Sequence, residues 1–163
     1  MYDPSELRGI AGSQRKATKS LLGRLAKRKE DKVDNLFHVA HEEVFARTNC
    51  LNCANCCKTT GPLFLRRDVE RLARHFRMRP ADFVHRYLRI DEDGDYVLKS
   101  VPCAFLNDDN TCSVYDIRPK ACREYPHTDR HRQQQIFNLT AKNAEICPAV
   151  FEILQEIKKK LNG

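Results

Sequence analysis

Apolar residues fall at helical spacing in several stretches of the chain, with short strand-like runs between them. Val33, Leu36, Phe37, Ala40, Val44 and Phe45 recur at three- and four-residue steps, which predicts an amphipathic helix ending near Arg47. Val69, Leu72, Ala73 and Phe76 predict a second helix, led by Asp68 and stopped by Pro80. Ala81 to Leu88 predicts a third, and Val150, Phe151, Leu154, Ile157 and Leu161 predict a long final helix after Cys147-Pro148. The runs between them are shorter. Gly61-Pro62 breaks the chain before Leu63, Phe64 and Leu65, and Tyr96, Val97 and Leu98 read as a strand. Asp91 to Asp95 looks like the start of a calcium loop, but Pro102 stands where the bidentate glutamate would be, so a hairpin turn is expected. Cys103–Leu106 and Cys112–Tyr115 read as two strand-like runs joined by a turn over residues 107–110. Arg118-Pro119 opens a helical turn carrying Cys122, closed by Tyr125-Pro126.

The start of the chain follows a different pattern. Residues 1–13 show no apolar period, and Leu21, Leu22 and Leu25 make only a thin stripe, weakened by Gly23. Eight basic and two acidic residues lie between Gln14 and Lys32, so that segment carries +6 of the net +7. The expected organisation is a mobile basic arm over residues 1–32 and one domain over 33–163. The fold class expected is α+β and mostly helical: a small, irregular, metal-stabilised domain with short β-hairpins between amphipathic helices. The arm is the candidate contact for nucleic acid or an acidic surface through residues 14–32, although no aromatic residue is interleaved there for base stacking.

With 163 residues, 41% apolar and 31% charged, the composition is that of a soluble globular chain, and no apolar run approaches a membrane span. The first residues lack the apolar core and cleavage site of an export signal, so a cytoplasmic setting with reduced thiols is expected. In that setting eight cysteines point to metal ligation and not to disulfides.

Half of those cysteines stand in one run, Cys50-Leu-Asn-Cys53-Ala-Asn-Cys56-Cys57. Spacing by two residues lets a turn of backbone present several sulfurs to one soft cation while N–H groups bond to them. Cys50, Cys53 and Cys56 suit three corners of one centre, with the fourth supplied from far along the chain. The side chain of Cys57 is expected to diverge from its neighbour and to serve a second centre, or to bridge. Cys103, Cys112, Cys122 and Cys147 fill the remaining places. Eight thiolates suffice for two four-cysteine centres or one multinuclear cluster. Zinc is the metal expected, with iron or an iron–sulfur cluster as the alternative, the latter suggested by Cys147-Pro148. Arg118 and Arg123 are candidates to offset the negative charge of a thiolate centre. His38 and His41, three apart on the first strong helix, are read as packed or solvated.

The stretch Cys50-x2-Cys53-x2-Cys56-Cys57, then Cys103, Cys112-x2-Tyr115-x2-Arg118-Pro119-x2-Cys122-Arg123-x-Tyr125-Pro126, resembles the CxxCxxCC family of zinc- or iron-chelating domains, which includes the YkgJ-like bacterial proteins. The resemblance covers residues 50–126 and extends to Cys147, because eight cysteines characterise the family. It implies metal chelation, and it does not reach the basic arm. Some flagellin lysine methylases carry a related cysteine motif, which keeps open a redox or group-transfer enzyme, methylase-like in the second case. The leading expectation is a metal-binding protein without catalysis. No nucleotide loop, serine–histidine pair or convergent carboxylate pair is visible. Nucleic-acid binding through the arm is the third class.

Overall fold

The computed structural model describes residues 2–162. In chain order its elements are α1 (Pro4–Ser13), α2 (Arg15–Leu25), α3 (Glu30–Phe45), α4 (Cys50–Cys53), α5 (Asn55–Thr59), β1 (Leu63–Phe64), α6 (Arg66–His75), α7 (Pro80–Tyr87), β2 (Leu88–Ile90) and β3 (Tyr96–Leu98). A 3₁₀ turn at Tyr115–Ile117, α8 (Lys120–Glu124), a second 3₁₀ turn at Gln133–Ile136, α9 (Phe137–Asn143) and α10 (Pro148–Asn162) complete the chain. It is therefore a mostly helical α+β protein with one small sheet. None of its helices is long and apolar enough to cross a membrane among the described residues.

The elements divide into two compact units. One is built from both ends of the chain, through Cys50 and from Pro126 onward; the other is Leu51–Tyr125. In the first unit the predicted stripe of α3 (Val33, Phe37, Ala40, Val44) meets the predicted Val150, Leu154 and Ile157 of α10, joined by Ile153, in a single core. Leu21, Leu22 and Leu25 of the basic segment belong to the same core, while Lys16, Lys19 and Arg24 stay exposed. The thin stripe read in the sequence is thus a packed face of α2. Helix α1 was not visible in the apolar pattern, and local chemistry accounts for it. Asp3 caps it by accepting the Ser5 N–H at 2.7 Å, Pro4 presets the first turn, and Leu7 and Ala11, four apart, are buried with Phe151. Helix α9 was also missed, because its buried positions include the polar Thr140 and Asn143, which carry no hydrophobic signal.

The second unit holds an antiparallel sheet in the order β1-β3-β2, with Leu63 opposite Val97 and Leu88 opposite Leu98. The acidic stretch is the hairpin turn between β2 and β3: Asp91 Oδ1 accepts the N–H groups of Asp93 and Asp95, and Gly94 takes the positive φ of 84° that a side chain disfavours. Phe64, Val69, Leu72, Phe83, Leu98, Phe105 and Val114 form part of its core, with Phe76 and Tyr87 packed on Phe105. Helix α6 ends at His75, earlier than expected, and Pro80 is the first residue of α7 and not the stop. The expected pair of strands around residues 103–115 contracts to a single antiparallel bridge, Leu106 with Cys112, because the chain turns into a 3₁₀ turn directly beyond Val114.

Candidate metal centre

Cys57, Cys103, Cys112 and Cys122 lie in one region of the second unit, near enough for charge on one to shift the thiol of another. Cys57 lies on α5, and its carbonyl accepts the backbone N–H of Cys103 at 2.7 Å. Cys112 enters through the bridge to Leu106, whose own N–H bonds to the Cys103 carbonyl. Cys122 sits on α8. The four sulfurs feel one another's charge. Burial first, and then the charges of Cys103, Cys57 and Cys112, push the Cys122 thiol up to about 12. Burial also raises Cys103 and Cys112, with Cys57 adding to both. Cys57 runs the other way, lowered to about 7 by a hydrogen bond from Cys56 and by the charge of Lys58.

Groups favouring thiolate are already in place. The backbone N–H of Phe105 favours the Cys103 thiolate, and that of Val114 favours the Cys112 thiolate. These are the N–H···S contacts expected of a C-x2-C turn, found here where the sequence has no such spacing. The Arg118 guanidinium lowers both Cys112 and Cys122. It is held 3.8 Å over the Tyr115 ring and donates to the Tyr115 carbonyl at 2.7 Å. Arg123 instead donates to the Arg118 carbonyl at 2.9 Å, bracing the backbone of the residue that faces the sulfurs.

Asp68, read in the sequence only as leading a helix, and Arg71, not singled out there, fix the Cys122 side. Asp68 is 1% exposed, and its carboxylate accepts from Leu65 N at 3.0 Å, Arg71 Nη2 at 2.7 Å and Lys120 N, the first residue of α8, at 3.2 Å. Arg71 in turn donates to the carbonyls of Ile117 and Arg118 at 3.1 and 2.9 Å. The visible clue is an acid at the third position of a helix, three residues before an arginine.

The CxxC run folds as two short helices. Cys50 and Cys53 begin and end α4, three apart on one face. Ala54 follows in the left-handed region at φ 48° and turns the chain into α5. The expected divergence of Cys56 and Cys57 is not found: their sulfurs lie 4.0 Å apart. Divergence was argued from strand geometry, but α5 is helical, and successive helical side chains are only about 100° apart. Cys147 precedes α10 at the margin of the first unit's core, with its carbonyl accepting the Phe151 N–H at 3.1 Å. Cys50 and Cys147 belong to the first unit, the other six cysteines to the second.

Residues 49–148 match the family described as "CxxCxxCC: Putative zinc- or iron-chelating domain". The chain belongs to the CxxCxxCC family. No curated protein and no solved structure matches it. The matched span of this CxxCxxCC protein takes in all eight cysteines and both the Asp68–Arg71 and the Arg118–Arg123 supports. Metal chelation is thus the property that family membership and local chemistry share.

Proposed function

We propose that the protein holds zinc, and that Cys57, Cys103, Cys112 and Cys122 take one ion as a closed four-thiolate centre. The supporting observation is that these four thiols are close enough to shift one another, with backbone N–H groups and an arginine that favour their thiolate forms. Ionising four neighbouring thiols is costly without a cation, and a borderline-soft dication is what such a sulfur set selects. A zinc ion in this set supplies cross-linking of the loops that carry it, and Arg118 offsets the net −2 charge of the filled centre. Because four thiolates close a tetrahedral site, the metal is structural and the activity is that of a binding module, not a metalloenzyme. By count, eight cysteines suffice for two metal equivalents per chain.

Elemental analysis of anaerobically purified protein, with its visible spectrum, tests this reading. Colourless protein with two zinc ions per chain is expected. Brown protein containing iron and sulfide would replace zinc with a cluster. Cys57→Ser is expected to lose the ion of the four-thiolate set, and Cys56→Ser to lose a separable one. Identical losses in both variants would sink the two-centre partition and favour a shared cluster, for which the 4.0 Å sulfur separation leaves room.

A further inference from the structure

The first unit carries ligand-type side chains that sulfur chemistry does not use. His38 and Glu42 are four apart on α3 and so share a face. Asp129 comes from the chain between Pro126 and the 3₁₀ turn at Gln133. One ligand atom from each of the three lies within 4.8 Å of the others, and all three residues are exposed. His38 Nδ1 is 2.8 Å from Asp129 Oδ1. The Glu42 carboxylate makes no hydrogen bond or ion pair among the described residues.

This geometry is built and not a chance meeting of surface groups. The segment carrying Asp129 is pinned to α3 on both sides of it. Before it, the Thr128 hydroxyl, on a residue 1% exposed, meets His41 Nδ1 at 2.9 Å. After it, the Asp34 carboxylate accepts the N–H groups of Arg132 and Gln133 at 2.8 and 3.0 Å. Gln133, 0% exposed, closes the loop by donating to the His127 carbonyl at 2.9 Å. His41 is committed to Thr128 and to stacking on Phe45 at 4.4 Å. His41 therefore does not join His38 at this site; Glu42 and Asp129 stand beside His38 instead.

We propose that His38, Glu42 and Asp129 bind one first-row divalent cation through an imidazole nitrogen and two carboxylates. The cation takes the place of the proton that His38 Nδ1 shares with Asp129, and it neutralises two carboxylates that otherwise crowd one imidazole. An oxygen- and nitrogen-donor set suits Mn²⁺, Fe²⁺ or Zn²⁺, whereas the cysteines select softer ions. Three protein ligands leave coordination positions open to water or an anionic small molecule, which a four-thiolate centre does not. The exposure of all three residues implies an ion that exchanges readily. This proposal does not depend on the cysteine assignment.

Manganese distinguishes the two chemistries, because it shuns thiolates. The full-length protein, with its cysteine-bound metal in place, is titrated with Mn²⁺ and followed by electron paramagnetic resonance. One equivalent bound per chain is expected, with a ¹⁴N coupling from imidazole. His38→Ala and Glu42→Gln are expected to weaken binding by at least about ten-fold, on the scale of losses at metal sites, while circular dichroism and the cysteine-bound metal stay unchanged. Glu43→Gln removes the same charge one residue away and is expected to leave binding intact. Failure of the unaltered protein to bind Mn²⁺, or equal loss in Glu43→Gln, would overturn the site.

Discussion

At the residue scale, the four thiols of the proposed centre differ in how readily they ionise, and the difference is measurable. Cys57 is held at about 7, whereas Cys122 is pushed up to about 12 and Cys103 and Cys112 are also raised. At neutral pH the metal-free set therefore has Cys103, Cys112 and Cys122 protonated and Cys57 partly ionised. A zinc ion binds four thiolates, so filling the set at pH 7 should release between about three and four protons. Affinity accordingly rises with pH, by between about three and four decades per unit near pH 7 and by about three once Cys57 is ionised. Calorimetric titration of reduced, metal-stripped protein in buffers of different ionisation enthalpy gives the count. Subtracting the release of Cys122→Ser, which lacks this ion, isolates it. A difference of two or fewer would mean that zinc does not draw on all four sulfurs.

At the scale of elements, the position of α8, and hence of Cys122, depends on α6 through one carboxylate. Asp68 accepts the N–H of Lys120 while pairing with Arg71, which itself holds the Ile117 and Arg118 carbonyls. Removing the acid leaves a guanidinium 32% exposed beside an uncompensated α8 terminus. Breaking a buried pair in this way costs about 3–5 kcal/mol, and the partial exposure of Arg71 puts the cost nearer the lower end. Asp68→Ala is expected to lower the urea midpoint of the zinc-loaded protein and to speed zinc release to a chelator. An unchanged midpoint with unchanged release would show that α8 is positioned by the metal alone. This clamp also marks the limit of what the sequence made legible. The stripes of α3, α6 and α10 could be read because burial there is apolar and periodic. Asp68, Thr140, Asn143 and Gln133 are buried through hydrogen bonds, and a hydrophobicity pattern does not register them. Helix α1 rests on a cap and two buried side chains, too few to produce a period. The cysteines could be read as candidate ligands from spacing, but the proposed Glu42 and Asp129 could not, because one is an ordinary exposed helix acid and the other is placed by contacts far apart in sequence.

At the scale of the whole molecule, the two units lean on metal to different degrees. The first has a continuous apolar core contributed mainly by α2, α3 and α10, with Ala144 added from the turn after α9. The second has a core around Phe64, Leu72, Phe83 and Phe105, but its last stretch is poorly furnished. Between Cys103 and Tyr125, Phe105 and Val114 reach that core as buried apolar anchors, and the regular structure is one bridge, one 3₁₀ turn and the five residues of α8. Such elements bury too little surface to fix their own geometry. A structural zinc ion contributes on the order of 10 kcal/mol of apparent binding energy, which becomes folding energy where no rigid site exists without it. Chelation under reducing conditions should therefore leave most helical circular dichroism in place, since α3, α6, α7 and α10 have apolar faces of their own. The segment 103–125 should lose its order, so that limited proteolysis cuts there first and leaves α3 and α10 intact. Returning zinc should restore protection in proportion to the ion bound. If the metal-free protein keeps this segment protected and melts near the temperature of the loaded form, the hydrogen bonds of Asp68 and the two apolar anchors suffice to hold it. The thiols would then be free to pass their metal on without the fold giving way.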